Sequence, residues 1–133
     1  MKDLKLTVVI NRPIEAVFDF TTNPENTARW INSIEKEETN TKEVTIGTLY
    51  CNWSKKGDMN EYVVTKFDRP KVFQLDATHA DYKVRYTYTE LAEARTELEY
   101  FEWSESDQLH APFMQEILDS LKAVMESDDH TEV

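Results

Sequence analysis

The stretch INRPIEAVFDFTTNPENTARW, residues 10–30, contains two helix starts in tandem. Pro13 follows an apolar strand pattern and has a backbone φ already suited to the first turn of a helix. Thr22 or Asn23 then provides a second capping side chain, and Pro24 follows it. The stretch therefore predicts two short helices placed directly after a first strand.

The segments on either side of this stretch carry the alternating pattern of half-buried strands. Residues 3–10 alternate apolar and polar side chains, as a strand with one buried face does. After the two helices, similar segments recur about every 10–12 residues and are separated by turn residues, which is typical of an antiparallel meander. We predict strands at residues 33–41, 47–54, 59–68, 72–78, 82–90 and 95–103.

The last element is predicted to be a long helix over residues 113–126. Its apolar side chains recur with helical spacing and form one continuous stripe: Met114, Ile117, Leu118, Leu121 and Met125. Phe113 lies beside the start of this stripe.

A run of strands followed by one helix predicts an α+β fold. The economical arrangement is a curved seven-stranded antiparallel sheet wrapped around the C-terminal helix, with the two short helices near the rim. A strongly bent sheet does not contact a helix along its whole length, so we expect an apolar cavity at one end. We predict a single domain over residues 1–127 and a polar, frayed tail over residues 128–133.

Composition and charge exclude several classes of function. Among 133 residues, 26 are acidic and 15 are basic, giving a formal net charge of −11. Nucleic acids and anionic membranes require clustered Lys and Arg, so neither is an expected partner. Only Gly47 and Gly57 are present, which excludes a glycine-rich phosphate loop, and no cofactor is expected.

The single cysteine and the N-terminus bear on the expected location. Cys51 has no intramolecular partner, which favours a reducing, cytoplasmic environment. The N-terminus lacks the apolar core of a signal peptide, and no apolar run reaches the length of a bilayer span. We expect no stable membrane insertion, and a monomer or weak homodimer.

Several motifs resemble those of START-like proteins, also called the SRPBCC or helix-grip superfamily, which includes polyketide cyclase/dehydrase and lipid-transport branches. They are residues 10–26 followed by Trp30, the Gly47-Thr48 pair that heads a strand, and residues 61–70. The resemblance covers nearly all of residues 3–126. It implies a helix-grip fold with an internal cavity for a small hydrophobic molecule. Residues 54–58 form a short turn in place of the glycine-rich loop of plant hormone-binding relatives.

The predicted cavity is lined by one face of each strand and one stripe of the helix. Inward tyrosines are informative, because a buried phenol needs a hydrogen-bond partner and can orient a polar group of a ligand. A β-bulge would exchange the two faces of a strand beyond it. The candidate ligand-binding residues are Trp30, Tyr50, Asn52, Tyr62, Phe73, Leu75, Tyr86, Tyr88, Leu98, Tyr100, Phe113, Ile117 and Leu121.

No catalytic or metal-binding motif is identifiable. His79, His110 and His130 share no metal-ligand spacing, so no metal site is expected. His110 is a candidate acid or base at the cavity rim, although an exposed position near a helix end is the plainer interpretation. Cys51 has no histidine nearby in sequence and is interpreted as a structural residue.

The acidic residues of the second and last strands are interpreted as solvent-facing: Glu35, Glu37, Glu38, Glu97, Glu99 and Glu102. One carboxylate pointing inward beside Asn52 would change this interpretation, because burial raises a carboxyl pKa into the range useful for proton transfer.

Three functions fit the predicted fold. The first is binding of a small hydrophobic molecule, lipid-like or aromatic, in the cavity. The second is a polyketide cyclase or dehydrase type of enzyme that uses inward polar groups of the same cavity. The third is a co-chaperone-like or regulatory module, which would present an exposed apolar patch instead.

Overall fold

The computed structural model describes residues 1–106 and 113–128 and confirms the predicted α+β architecture. After β1 (Lys2–Ile10) come helix α1 (Ile14–Thr22), a single 3-10 turn (Pro24–Asn26) and helix α2 (Thr27–Trp30). The following strands are β2 (Ile34–Thr39), β3 (Leu49–Ser54), β4 (Met59–Asp68), β5 (Val72–Ala77), β6 (Lys83–Ala92) and β7 (Arg95–Ser104). Helix α3 is Gln115–Asp128.

The seven strands form one antiparallel sheet in the order β1-β7-β6-β5-β4-β3-β2. Hairpins join each neighbour in sequence from β2 to β7, and β1 closes the far edge against β7. Cross-strand pairs on the inner face bring aromatic rings together, as in Tyr86 with Tyr100 and Phe73 with Tyr86. The inner face is therefore an aromatic surface.

A register shift between Val64 and Lys66 interrupts the pairing of β4 with β5. Because an extra residue exchanges the faces of a strand, Phe67 lies on the same side as Val64. The Phe67 ring packs edge-on against Phe18 and Phe73, with centroids 5.3 Å and 6.1 Å away. The bulge thus brings the Phe67 side chain into the core, whereas strict alternation along β4 would have directed it to the outer face of the sheet.

Helix α3 packs along β1 through both apolar and polar contacts. Leu118, Leu121 and Met125 are buried against the sheet. The Lys122 ammonium donates a hydrogen bond to the Val9 carbonyl at 2.8 Å, and the Arg12 guanidinium donates to the Met125 carbonyl at 2.8 Å. These bonds hold the C-terminal half of the helix against the sheet.

The start of the helix differs from the prediction. Met114 was placed in the buried stripe, but it precedes α3 and is 58% exposed. Helical periodicity alone extended the stripe one turn too far, because Met114 and Leu118 have the i, i+4 spacing of a single face. Phe113 and Ile117 are only partly buried.

The tandem helix starts are present, with one difference in detail. The Asn23 side chain accepts a hydrogen bond from the Glu25 amide at 3.0 Å, as a capping residue does. Pro13 occupies the cap position of α1 itself, before the first turn. The buried face of α1 places Phe18 against Tyr88, with ring centroids 5.0 Å apart.

Candidate functional site

A cavity of about 190 Å³, partly open to solvent, lies between the inner face of the sheet, α2 and the start of α3. Its position matches the expectation that the bent sheet and the helix separate at one end. The lining residues are Thr21, Thr27, Trp30, Ile31, Ser33, Ile34, Glu37, Tyr50, Asn52, Tyr62, Phe73, Leu75, Tyr82, Val84, Tyr86, Tyr100, Phe113 and Ile117.

Aromatic rings in mutual contact form a closed belt around part of the cavity. Tyr100 stacks on Phe113 with centroids 3.9 Å apart and planes inclined by 17°. Phe113 meets Trp30 edge-on at 6.1 Å, Trp30 meets Tyr86 at 6.4 Å, and Tyr86 meets Tyr100 at 5.4 Å. Because these edge-to-face contacts fix the rings, the aromatic wall is preformed.

One carboxylate, that of Glu37, lies in this lining. The Thr27 hydroxyl donates a hydrogen bond to its Oε1 at 2.5 Å, and the Asn52 amide donates to its Oε2 at 3.3 Å. Asn52 in turn accepts from the Asn60 amide at 3.4 Å. Glu37 is thus held by α2 on one side and by β3 on the other.

The prediction that Glu37 faces solvent was wrong. A register shift between Ile34 and Lys36 breaks the alternation of β2, and beyond it Glu37 pairs directly with Asn52 of β3. Cross-strand partners share a face of the sheet, so an inward Asn52 brings Glu37 inward with it. This is the single inward carboxylate beside Asn52 that would revise the sequence interpretation.

The surroundings of Glu37 perturb its proton affinity. Burial is the largest influence and raises the pKa of the Glu37 carboxyl, while the bonds from Thr27 and Asn52 oppose it. Burial also raises the pKa values of Tyr50, Tyr62 and Tyr86, and the nearby charge of Glu37 raises them further. These phenols are therefore neutral at physiological pH.

Glu37→Gln is expected to change how stability depends on pH. A raised folded-state pKa means that the native state binds the Glu37 proton more tightly than the unfolded chain, where the pKa is about 4.3. The stability due to that proton is present below the unfolded value and is lost as pH rises through the folded one. Urea unfolding should be measured at pH values from below the unfolded-state pKa to above the folded-state pKa of Glu37. Over this pH range the variant should gain stability relative to the wild type as pH increases.

Glu38→Gln provides the matched control for that measurement. Glu38 is the next residue of the same strand, its side chain is exposed, and it lies outside the cavity. Its stability difference from the wild type should stay nearly constant over the same pH range. Parallel curves for Glu37→Gln and the wild type would show that the cavity does not perturb Glu37.

A second inward carboxylate, Glu102, lies behind the aromatic wall and is 2% exposed. The Tyr82 and Tyr100 hydroxyls both donate to its Oε1, at 2.8 Å and 2.6 Å. Both phenols line the cavity. The solvent-facing interpretation of Glu102 was therefore also wrong, because strand alternation gives it the phase of Leu98 and Tyr100.

The structure places ten of the thirteen candidate residues in the lining: Trp30, Tyr50, Asn52, Tyr62, Phe73, Leu75, Tyr86, Tyr100, Phe113 and Ile117. The other three are buried in the core and do not line the cavity, which corrects their placement. Leu98 and Leu121 are fully buried, and the Tyr88 hydroxyl pairs with that of Thr21 at 2.5 Å beneath α1.

His79 and Cys51 do not line this cavity. The His79 side chain is 82% exposed and lies 3.6 Å from Glu61. The Cys51 thiol is also on the Glu61 side, at 3.8 Å. His110 and His130 lie outside the described residues. Within residues 1–106 and 113–128, no three potential metal ligands cluster, and no helix has the length and apolar character that crossing a bilayer requires.

The fold is that of α+β proteins in which a curved antiparallel sheet and a C-terminal helix enclose an internal cavity. The chain belongs to the family described as polyketide cyclase/dehydrase and lipid transport, whose model matches residues 1–126. The START-like resemblance of the sequence is thereby confirmed. A search of curated protein sequences finds no match.

Solved structures with the same fold include proteins of diverse roles. A START superfamily protein from Mycobacterium smegmatis aligns with a TM-score of 0.72 at 12% identity, covering 94% of this chain and 97% of that one. A point mutant of norcoclaurine synthase from Thalictrum flavum aligns with a TM-score of 0.72 at 8% identity, covering 96% of each chain.

The di-domain aromatase/cyclase StfQ of the steffimycin biosynthetic pathway aligns with a TM-score of 0.74 at 16% identity. The alignment covers 96% of this chain and 46% of StfQ. At these identities the similarity establishes the fold alone.

Proposed function

We propose that this protein binds a small, compact hydrophobic molecule, with an aromatic or similarly planar body, in the cavity between the sheet and α3. The observation that carries the proposal is the preformed aromatic belt around a partly open cavity. Binding sites for small molecules are concave and mainly apolar, with a few polar groups that fix orientation. Glu37 and Asn52 are polar groups of this kind.

The size of the cavity narrows the ligand class. Sites for drug-sized ligands occupy roughly 300–1,000 Å³, whereas this cavity measures about 190 Å³. A one- or two-ring compound fits such a volume better than a long acyl chain. Among the two ligand types that the sequence leaves open, the aromatic one is therefore favoured over the lipid-like one.

Trp30 offers a direct readout of binding. The chain has three tryptophans, and Trp30 is the one in the cavity lining, whereas Trp53 and Trp103 are not. In a Trp53→Phe/Trp103→Phe background, a panel of naphthols, flavonoids and fatty acids should produce saturable changes in Trp30 emission for the compact aromatics. A ligand at 100 times its Kd should also stabilise the fold by about 2.7 kcal/mol.

Blocking the mouth of the cavity supplies the control. Ser33 is exposed yet lines the cavity, while its neighbour Asn32 is exposed and does not. Ser33→Trp, tested by thermal shift, should weaken binding about tenfold or more, and Asn32→Trp should leave it unchanged. A panel in which no compound alters Trp30 emission or the thermal midpoint would overturn the proposal.

An enzyme of the cyclase or dehydrase type is the second candidate, and the inward Glu37 is what favours it. A carboxylate with a raised pKa beside a bound ligand is suited to general acid–base catalysis. The Tyr86 hydroxyl lines the same cavity, and no hydrogen bond among the described residues uses its proton. It could therefore donate to an oxygen on which negative charge develops.

Benzoylacetone in D2O tests this second candidate. If Glu37 removes a proton from the carbon between the two carbonyls, deuterium incorporation followed by NMR should be faster with the protein than without it. Glu37→Gln should lower the catalysed rate about 100-fold or more, and Glu38→Gln should not. Equal rates for the wild type and Glu37→Gln would remove the catalytic candidate while leaving the binding proposal intact.

A further inference from the structure

The charge of the cavity lining has one sign. Glu37 is its carboxylate, and within the described parts of the chain no lysine, arginine or histidine lines the cavity. The whole chain carries a formal net charge of −11, which adds a long-range field of the same sign. A carboxylate ligand would be repelled by Glu37, with no counter-ion to offset the repulsion. A cationic ligand would instead be attracted.

The hydrogen-bonding capacity of the lining is also one-sided. The Tyr50 hydroxyl donates its proton to the Thr22 carbonyl at 2.5 Å, and those of Tyr82 and Tyr100 donate to Glu102. A phenol that has given its proton away has only lone pairs left for a ligand. The Thr27 proton is likewise given to Glu37.

Few donors remain for a ligand in the described lining. Tyr86 keeps a hydroxyl proton that no hydrogen bond among the described residues uses, and Ser33 offers a second hydroxyl. Tyr62 is hydrogen-bonded with Asn52. The Trp30 indole N–H also has no partner, but its nitrogen is buried out of contact with free space. Acceptors, including the two carboxylate oxygens of Glu37, therefore predominate, and they match a ligand that brings several N–H groups.

The aromatic rings of the lining favour the same kind of ligand. Aromatic rings attract cations through the negative potential over their faces, and the attraction strengthens when water is excluded. Eight rings line this cavity together with the one carboxylate: Trp30, Tyr50, Tyr62, Phe73, Tyr82, Tyr86, Tyr100 and Phe113. A ring whose face is open to the cavity can stabilise a positive charge and also hold an apolar ligand body.

From these three features we infer that the preferred ligand is a small organic amine in its ammonium form, with the nitrogen at Glu37 and its apolar body within the aromatic belt. The inference rests on the proposed binding function and specifies its ligand class. The ammonium would donate to the Glu37 carboxylate, which Thr27 and Asn52 already hold in place. Neighbouring phenol oxygens would accept the remaining N–H protons.

Three probes of nearly equal size separate charge from shape: benzylamine, benzyl alcohol and benzoate. Titration calorimetry on the full chain at neutral pH should give the order benzylamine, then benzyl alcohol, then benzoate. We expect benzylamine to bind at least tenfold more tightly than benzyl alcohol. An equal or weaker affinity for the amine, or a preference for benzoate, would overturn the inference without any variant.

The Glu37→Gln variant tests whether Glu37 is the residue responsible for the preference for benzylamine over benzyl alcohol. The variant should lose most of the amine-over-alcohol ratio, whereas Glu38→Gln, which removes the same charge from the same strand, should keep both the ratio and the affinity for benzyl alcohol. An unchanged ratio in Glu37→Gln would contradict the inference. If none of the three probes binds the wild type, the small-aromatic binding function fails as well, whereas binding without an amine preference overturns the amine inference alone.

Discussion

Leu118→Ala is expected to lower the free energy of unfolding by about 2–5 kcal/mol. Leu118 is completely buried and lies on the face of α3 that packs on the sheet. Truncation removes apolar surface from the core and leaves a void that rigid neighbours fill only partly. Urea unfolding followed by circular dichroism measures the change.

Met114→Ala is the control for that variant. Met114 lies one helical turn before Leu118 in sequence and is 58% exposed. Its truncation should cost no more than about 0.5 kcal/mol. Equal effects of the two substitutions would mean that the C-terminal helix does not pack on the sheet as described.

Glu102→Ala is expected to destabilise the protein by about 2–4 kcal/mol, because hydrogen bonds to a buried charged group are worth roughly 1.5–3 kcal/mol each. The substitution leaves the Tyr82 and Tyr100 hydroxyls without their shared acceptor. Part of the loss is offset, since the variant no longer buries a carboxylate. Unfolding by urea again measures the difference.

Glu99→Ala is the matched variant on the opposite face of β7. Glu99 is about one-third exposed, and its contact is a 4.0 Å ion pair with Lys5. Surface pairs of this kind contribute about 0–1 kcal/mol. A Glu102→Ala variant no less stable than Glu99→Ala would show that the two phenols do not depend on Glu102. Tyr100→Phe combined with Glu102→Ala should be less than additive.

The strands and helices of this fold are readable from the sequence because their hydrophobic periods are regular. The alternation in residues 82–90 and 95–103 correctly predicts an inward face with Tyr86, Leu98 and Tyr100. Seven of the ten predicted residues found in the lining lie on strands and follow from alternation of this kind. The cavity itself follows from the mismatch between a bent sheet and a straight helix.

The inward orientation of the two carboxylates, Glu37 and Glu102, was not predicted from the sequence, for two different reasons. Glu102 shares the phase of Leu98 and Tyr100, so the signal was present, but a general expectation that glutamates face solvent outweighed it. Glu37 follows a register shift after Ile34, and one residue of slippage reverses the face of a strand. Such bulges depend on pairing with the neighbouring strand, which local sequence does not specify.

Leu98, Leu121 and Tyr88 show that the inward orientation of a side chain is not enough to predict that it lines the cavity. Each side chain points inward and is buried as predicted, yet none of the three lines the cavity. Which inward residues touch free space depends on where α1 and α3 cover the sheet. That coverage is a property of the packed structure.

The central claim is that the cavity under the start of α3 is the ligand site, and methyl NMR tests it most directly. Ile34, Leu75, Val84 and Ile117 line the cavity, whereas Ile46, Leu91, Leu98 and Leu121 do not. Saturation with the tightest-binding compound of the panel should shift the methyl signals of the first group and leave most of the second group unchanged. Shifts concentrated at Ile46 and Leu91, with the cavity methyls unmoved, would contradict the claim.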